Sequence, residues 1–388
     1  MRPKLHILCL MLACSLFACK PGMEPVQQQV DQVSKNSRSN HPLHFAKRFS
    51  IAVQGGDTNV YLFGNRSNWD TTAVFVLHQA AYKLVQKKYP VYFIPTPLNR
   101  LAALSSIYAS MFAELGVLEK ICAIDNMDYI LREDLTAKFK KGEIAELMKS
   151  PDLNLEQTLK IKPDLVFCFG MGNPSEDGYP RLREAGIPVA VSVDHLEETP
   201  LARAEWIKFY AVFVGRLPLA DSLFNVVEKN YAEIQNKLLA VTQRPTVFTE
   251  TLYGDLWYMP GGNSYMARLI KDAGGHYLWD DNNETGSLAL SYEQVYARAV
   301  KADYWINLST FRTKRELLQS DDRYAPFAAV KQNHLYNNNK YVNSKGYTAY
   351  WESGMAHPDR ILSDLAQVLH PELYSRNPVA FYYYHLLP

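Results

Sequence analysis

"PLARAEWIKFYAVFVGR" (residues 200–216) and "LADSLFNVVEKNYAEIQNKLLAVTQ" (219–243) carry helical spacing with no strand signal between them. The second stretch, roughly 24 residues, would reach about 36 Å at 1.5 Å per residue, enough to pass from one domain to another. On both sides the rhythm differs. Upstream, the strand-like runs "RLAALSS" (100–106), "KICAID" (120–125), "DLVFCFG" (164–170) and "GIPVAVSVD" (186–194) are separated by helical stretches, among them "IYASMFAELGV" (107–117) and the charged residues 132–149. Downstream come "TVFTETLY" (246–253), "SYMARLIKDAGG" (264–275), "HLYNNN" (334–339) and a last helix, "PDRILSDLAQVLH" (358–370). Strands alternating with helices mean βα units and a mostly parallel sheet. The fold class is therefore α/β: two Rossmann-like α/β lobes joined by a long interlobe helix. "FSIAVQGGDTNVYLFG" (49–64) alternates on both sides of Gly55-Gly56 and adds an N-terminal β-hairpin, with "AVFVLHQ" (73–79) and "VYFIPT" (91–96) as further strands.

The amino terminus is not part of that fold. Arg2 and Lys4 precede the short apolar run "HILCLMLACSLF" (6–17), which is too short to span a membrane comfortably and reads as a secretory signal. Leu16-Phe17-Ala18-Cys19 is similar to a bacterial lipobox, so cleavage before Cys19 and lipidation of its thiol are expected. Cys14 is the weaker candidate, because Met11 stands where that motif prefers Leu. The polar stretch that follows forms a flexible tether. The expected boundaries are 1–19 signal peptide, 20–45 tether, 46–198 first lobe with the added hairpin, 199–243 interlobe segment and 244–388 second lobe. Cys122 and Cys168 remain, each in an apolar run; buried free thiols are the expected state, with a disulfide as the alternative.

At 388 residues with 47% hydrophobic residues, two substantial cores can be built. A formal charge of +1 argues against nucleic acid as partner, which needs a basic excess. The 25 Tyr suit a wet ligand cleft and a Tyr-rich core equally well.

"LNLEQTLKIKPDLVFCFG" (153–170) and "LSYEQVYARAVKADYWINLS" (290–309) repeat one design. A capping residue (Asn154, Ser291) is followed two places on by Glu156 or Glu293 and three places on by Gln157 or Gln294. That spacing is the capping box, and it puts each glutamate in the first helical turn, where the helix dipole favours an anion. A glutamate there commonly does no more than stabilise its helix. The pairing at equivalent points of two lobes points to more, since helix starts in parallel α/β lobes lie near the ligand-binding edge.

"PLNRLAALSSIYASMFAELGV", "NLEQTLKIKPDLVF", "AGIPVAVSV", "EETPLARAEWIKFYAVFVG", "GGNSYMARLIKDAGG", "LSYEQVYARA" and "WESGMAHPDRILSDLAQVLHPEL" occur in this order from about residue 90 onward. In these motifs the chain resembles the periplasmic substrate-binding lipoproteins of bacterial ABC importers, in the class III family that captures vitamin B12 and iron-siderophore or haem complexes. The resemblance implies a rigid interlobe helix and a ligand cleft between the lobes. It implies no enzyme activity and no cofactor; the ligand is a ferric siderophore, haem or corrinoid. The partners it implies are a permease, onto whose arginine pockets Glu156 and Glu293 dock, and its ATPase. The protein is expected to be a monomer held by Cys19 to a cell membrane on the periplasmic side.

Loops leaving the carboxyl ends of the strands should line the cleft. In the first lobe these give Ser105, Ser106, Tyr108, Asn126 to Tyr129, Met171 and Asn173. In the second they give Tyr253, Trp257, Tyr258, Asn263, Ser309, Thr310, Tyr347 and Trp351. Trp257 and Tyr258 follow Gly254 in a loop and either face ligand or pack beneath it. Gly261 to Ser264 either offer amides to an anion or form a plain turn and N-cap. Arg312, Lys314 and Arg315 either meet an anionic iron chelate or start a solvated helix. Met171 and Leu288 stand where a B12 binder would be expected to place aromatic residues, which leaves corrinoid and iron chelate both open. No metal site is expected: the ten His are scattered, which speaks against a zinc or manganese carrier. No Walker loop, nucleophile elbow or zinc-hydrolase spacing is present. A surface lipoprotein that binds partner proteins without carrying a solute is the alternative of a different class.

Overall fold

Helix α6 (Ile207–Phe213) explains the architecture, because every one of its residues is buried. A helix whose residues are apolar but for one paired lysine, Lys208, must be covered all round, and two sheets do much of this. In the computed structural model, which describes residues 41–54, 57–64, 71–78, 83–86, 89–148, 153–171, 179–374 and 380–388, the first cover is an N-terminal sheet. It contains β1 (Phe49–Gln54), β2 (Asp57–Phe63), β3 (Thr71–His78), β4 (Lys83–Gln86) and β5 (Pro90–Pro95) in the order β1-β2-β3-β5-β4. The expected hairpin is therefore two strands of a five-stranded sheet. Phe49 lies 4.9 Å from Trp206 and 5.7 Å from Phe209, and Phe75 lies 5.4 Å from Phe213, measured between ring centroids.

The second cover is the sheet of the first lobe, whose order is β10-β9-β6-β7-β8. Its strands are β6 (Leu101–Ala103), β7 (Ile121–Ile124), β8 (Ala145–Glu146), β9 (Leu165–Phe169) and β10 (Val189–Ser192), all paired parallel. Helices α1 (Ser106–Glu114), α2 (Glu133–Lys140), α3 (Leu155–Ile161) and α4 (Pro180–Glu184) alternate with them. The charged stretch 132–149 is helical only as far as Lys140: Gly142 turns with φ +74°, and Ala145-Glu146 then join the sheet beside β7. Phe167 of β9 meets Phe213 of α6 with ring centroids 5.4 Å apart.

Helix α5 (Pro200–Ala204) precedes α6, and α7 (Leu217–Leu238) follows it. With 22 residues α7 is about 33 Å long. The chain's entry is fastened to this interlobe segment. Glu205, fully buried, accepts the backbone N–H groups of His44, Phe45 and Ala46 at 2.8–2.9 Å and pairs with Lys208 at 3.0 Å. Glu197 takes those of Lys47 and Arg48 and the indole N–H of Trp206. The chain is thus already docked at His41, whose ring nitrogen sits 3.2 Å from Asp221 of α7, rather than free as far as residue 45.

The second lobe is built on the sheet β14-β11-β16-β17-β18. Here β11 is Thr246–Thr249, β14 His276–Tyr277, β16 Tyr304–Ile306, β17 Leu335–Asn337 and β18 His385–Leu386, the last antiparallel to β17. A small antiparallel sheet, β12 (Leu252–Tyr253), β13 (Leu256–Pro260) and β15 (Ser287–Leu290), caps it. The helices are α8 (Tyr265–Asp272), α9 (Tyr292–Ala299), α10 (Lys314–Ser320), α11 (Ala328–Lys331), α12 (Ala349–Ser353) and α13 (Pro358–Leu369). One apolar cluster runs through the three five-stranded sheets, taking in Phe75, Phe167, Phe213, Phe248 and Leu365. Neither Cys122 nor Cys168 is in a disulfide, and burial pushes the Cys122 thiol up to about 11.

Candidate ligand-binding cleft

The two lobes meet where α12 packs on α1 and through a loop of each. Asn343 Nδ2 donates to the carbonyl of Asp128 at 2.7 Å, and Lys345 lies 3.8 Å from the Asp128 carboxylate. Tyr347 stacks edge-to-face on Tyr129 with centroids 4.6 Å apart. Glu352, buried at the start of α12, accepts the N–H of Leu131 at 3.1 Å and of Arg132 at 3.4 Å.

Beside this junction lies a hollow of about 540 Å³, within the usual range for ligand pockets. Its walls come from the carboxyl ends of β11 (Glu250), β16 (Asn307, Ser309, Thr310) and β17 (Asn338, Asn339), closed by residues 345–348 and Trp351. Ligands of parallel α/β sheets bind at that edge. Glu250, Asn307 and Ser309 have φ of +64°, +58° and +50°, a left-handed conformation that non-glycine residues adopt rarely and that gathers at functional sites. The surroundings hold them there. The Trp305 indole donates to the Glu250 carbonyl at 2.7 Å, the Tyr384 hydroxyl donates to Asn307 Oδ1 at 2.7 Å, and Asn337 Nδ2 donates to the Ser309 carbonyl at 3.0 Å. Burial pushes the Glu250 carboxyl up to about 7, and a hydrogen bond from Asn307 works against that rise. In the first lobe Asp125, the residue after β7, is raised by burial to about 6.

The structure brings Ser309, Thr310, Tyr347 and Trp351 together in the hollow, as the sequence suggests, with Trp351 53% exposed. Other expectations need correction. Tyr108 is buried in the core, 5.4 Å from the Tyr210 ring, because it lies on the inward face of α1. Trp257 is not in a loop. It sits on β13, where alternation turns Trp257 and Met259 inward and Leu256 and Tyr258 outward. It is fully buried against Phe248, Trp305 and Tyr324, and its N–H donates to the Thr249 carbonyl.

Tyr253 and Tyr258 form an exposed pair on the small sheet, 6.5 Å apart, and neither is a wall of the hollow. Asn263 opens on a different cavity, with Arg244 and Lys271. The loop before it is no anion cradle, since the amides of Gly261, Gly262 and Asn263 donate internally to Gly286, Asn282 and Glu284. Ser105 caps α1 by accepting the Ile107 N–H, and Ser106 begins that helix. Met171 is exposed beside exposed Phe169 at the end of β9; Asn173 and Cys19 lie outside the described residues. Thr313 and Glu316 form a capping box, and Lys314 Nζ donates to the Val330 carbonyl, so 312–315 start a helix and do not line the hollow. Glu250, Asn307 and Asn338 carry no motif of their own in the sequence; the one signal is that each directly follows a strand.

Glu156 and Glu293 are both exposed and both stand one residue inside their helices. The capping box is complete at Ser291 and half complete at Asn154, whose own N–H is already taken by the Leu147 carbonyl. The backbone N–H of Glu293 and the Ser291 hydroxyl hold the Glu293 carboxyl below its ordinary range. No group of three His, Cys, Asp or Glu among the described residues is placed to hold a metal ion, and no helix there is long and apolar enough to cross a membrane.

Residues 101–341 match the family described as periplasmic binding protein. An uncharacterised lipoprotein of Methanocaldococcus jannaschii is 26% identical over 97% of this chain and 94% of its own length. Two solved structures share the fold. The periplasmic haem-binding protein RhuT from Roseiflexus sp. RS-1 is 21% identical, with TM-score 0.55, over 71% of this chain and 99% of its own. The periplasmic vitamin B12-binding protein BtuF of Vibrio cholerae is 14% identical, with TM-score 0.50, over 71% of this chain and 98% of its own.

Proposed function

The chain belongs to the periplasmic binding proteins, a family of solute binders and not of enzymes, and on that premise we propose that it captures a large metal chelate outside the cytoplasm. The chelate is a ferric siderophore, haem or a corrinoid, delivered to the permease and ATPase of an ABC importer. The observation that carries this reading is the hollow of about 540 Å³ at the carboxyl edge of the second sheet, roofed by Tyr347 and Trp351. Aromatic faces and neutral hydrogen-bonding groups suit a broad, partly apolar complex. Two proteins of the same fold are named for binding haem and vitamin B12. Glu156 and Glu293 are the docking points, each free to accept a bidentate arginine of the permease. Cys19 carries the lipid, in keeping with the lipoprotein name of the archaeal relative.

Titration of the purified protein with dicyanocobinamide, haemin and a ferric hydroxamate tests the carrier role. Binding of at least one at micromolar or tighter affinity, roughly 8 kcal/mol, is expected. A flat response to all three sinks it and favours the alternative, a lipoprotein that contacts partner proteins.

A further inference from the structure

The walls of the hollow carry little charge. Asn307, Ser309, Thr310, Asn338 and Thr348 are neutral hydrogen-bonding residues, and the charged ones are Glu250 and Lys345. Lys345 is already engaged with Asp128 across the lobes at 3.8 Å. The cations of the nearby helix start, Arg312, Lys314 and Arg315, do not reach the lining. Among the described residues, Glu250 is therefore the one charged wall not paired across the junction. Its place is built: the left-handed backbone, the indole of Trp305 on its carbonyl, and Asn307, itself held by Tyr384, on its side chain.

Resting on the carrier reading above, we propose that Glu250 is the specificity-determining residue of the cleft, selecting a chelate rimmed with carboxamides against one rimmed with carboxylates. An amide rim finds a partner in either state of the side chain. A carboxylate of Glu250 accepts from the ligand's NH₂, and a carboxylic acid donates to its C=O. A ligand carboxylate facing ionised Glu250 meets like charge, and the lining cation Lys345 is already engaged by Asp128 at 3.8 Å; like-charge juxtaposition of this kind is how binding sites reject wrong partners. Asn307 and the hydroxyls of Ser309 and Thr310 complement amides in the same way.

The selection depends on pH. Burial places the Glu250 carboxyl at about 7, so below that value it is mostly protonated and tolerates a ligand carboxylate. The groups facing it do not titrate in that range. Tyr277, Tyr350 and Tyr384 are held neutral by burial.

The test is the ratio of affinities for dicyanocobinamide, which is amide-rimmed, and haemin, which carries two carboxylates, at pH 8 and pH 6 in wild type and Glu250→Gln. Wild type is expected to prefer the corrinoid at pH 8, with the preference shrinking by about tenfold at pH 6. In Glu250→Gln the ratio at pH 8 should fall by about tenfold, and its pH dependence should vanish. A ratio within about twofold of wild type in the variant overturns the role of Glu250, since a tenfold effect is what one strong interaction is worth. Binding of the ferric hydroxamate alone overturns it too, while leaving the carrier reading in place. No binding of any of the three sinks both.

Discussion

Glu352 of the second lobe accepts a hydrogen bond from the backbone N–H of Leu131 in the first lobe at 3.1 Å. Burial raises the Glu352 carboxyl, and the two backbone donors, Leu131 and Arg132, oppose that rise. Removing the carboxylate would leave both N–H groups facing a buried gap. Glu352→Ala should therefore lower stability by about 1–3 kcal/mol in urea denaturation. A loss below about 0.5 kcal/mol, the scale of an ordinary surface change, would show that the lobes are not held together here.

Trp257 and Trp351 give opposite expectations for fluorescence. Trp257 is fully buried in an aromatic cluster, whereas Trp351 is half exposed on the wall of the hollow. Ligand quenching should persist in Trp257→Phe and disappear in Trp351→Phe. Trp257→Ala should instead cost about 3–5 kcal/mol of stability as a core truncation. Quenching that vanishes with Trp257→Phe would contradict the placement of the cleft.

Glu250 makes stability depend on pH. Its carboxyl is pushed up to about 7 in the folded chain, while the unfolded chain holds that proton only up to about 4.3. Between these values the native state binds more protons than the unfolded one, so stability falls as pH rises and levels off above about 7. The full effect is at most about 4 kcal/mol, and partial solvent access at the hollow reduces it. Glu250→Gln should flatten the stability curve between pH 4.5 and 7.5 relative to wild type. Asp125 and Asp364, each raised to about 6 by burial, contribute a slope of the same sign to both proteins, so the comparison rests on the difference between the curves. Parallel curves for the two proteins would refute the shift.

What the sequence shows and what it hides follow from range. The parallel strands are legible because βα periodicity is local, and so is the long helix α7. The pattern of residues 207–213, apolar but for Lys208, marks a buried helix, but its first cover, the sheet of residues 49–95, is seen only in the tertiary contacts of Phe49 and Phe75. Trp257 is misplaced by a loop reading because Gly254 turns the chain straight back into β13, where "LWYMP" already shows the alternation of a strand. The left-handed turns at Glu250 and Asn307 have no composition signal, since both are set by Trp305 and Tyr384 from elsewhere in the chain. The junction of Glu352 with Leu131 spans too much sequence for any local pattern to report.

Glu156 and Glu293 carry the last prediction. Each is the second residue of its helix, where the backbone fixes the direction of the side chain. Both are exposed, so neither is needed by the core. Asn154 and Ser291 make the caps, accepting the N–H groups of Gln157 and Gln294 at 2.9 and 3.3 Å, and both caps survive substitution of the glutamates. Replacing Glu156 and Glu293 with Ala should leave folding and ligand affinity close to wild type, because only a screened dipole interaction is lost. Uptake by cells should fall by at least about tenfold if both carboxylates meet arginine in the permease. A helix-capping role predicts the reverse, a small loss of stability with normal transport. Uptake and titration measured on the same double variant separate the two, and transport at the wild-type rate would reduce both acidic corners to helix starts.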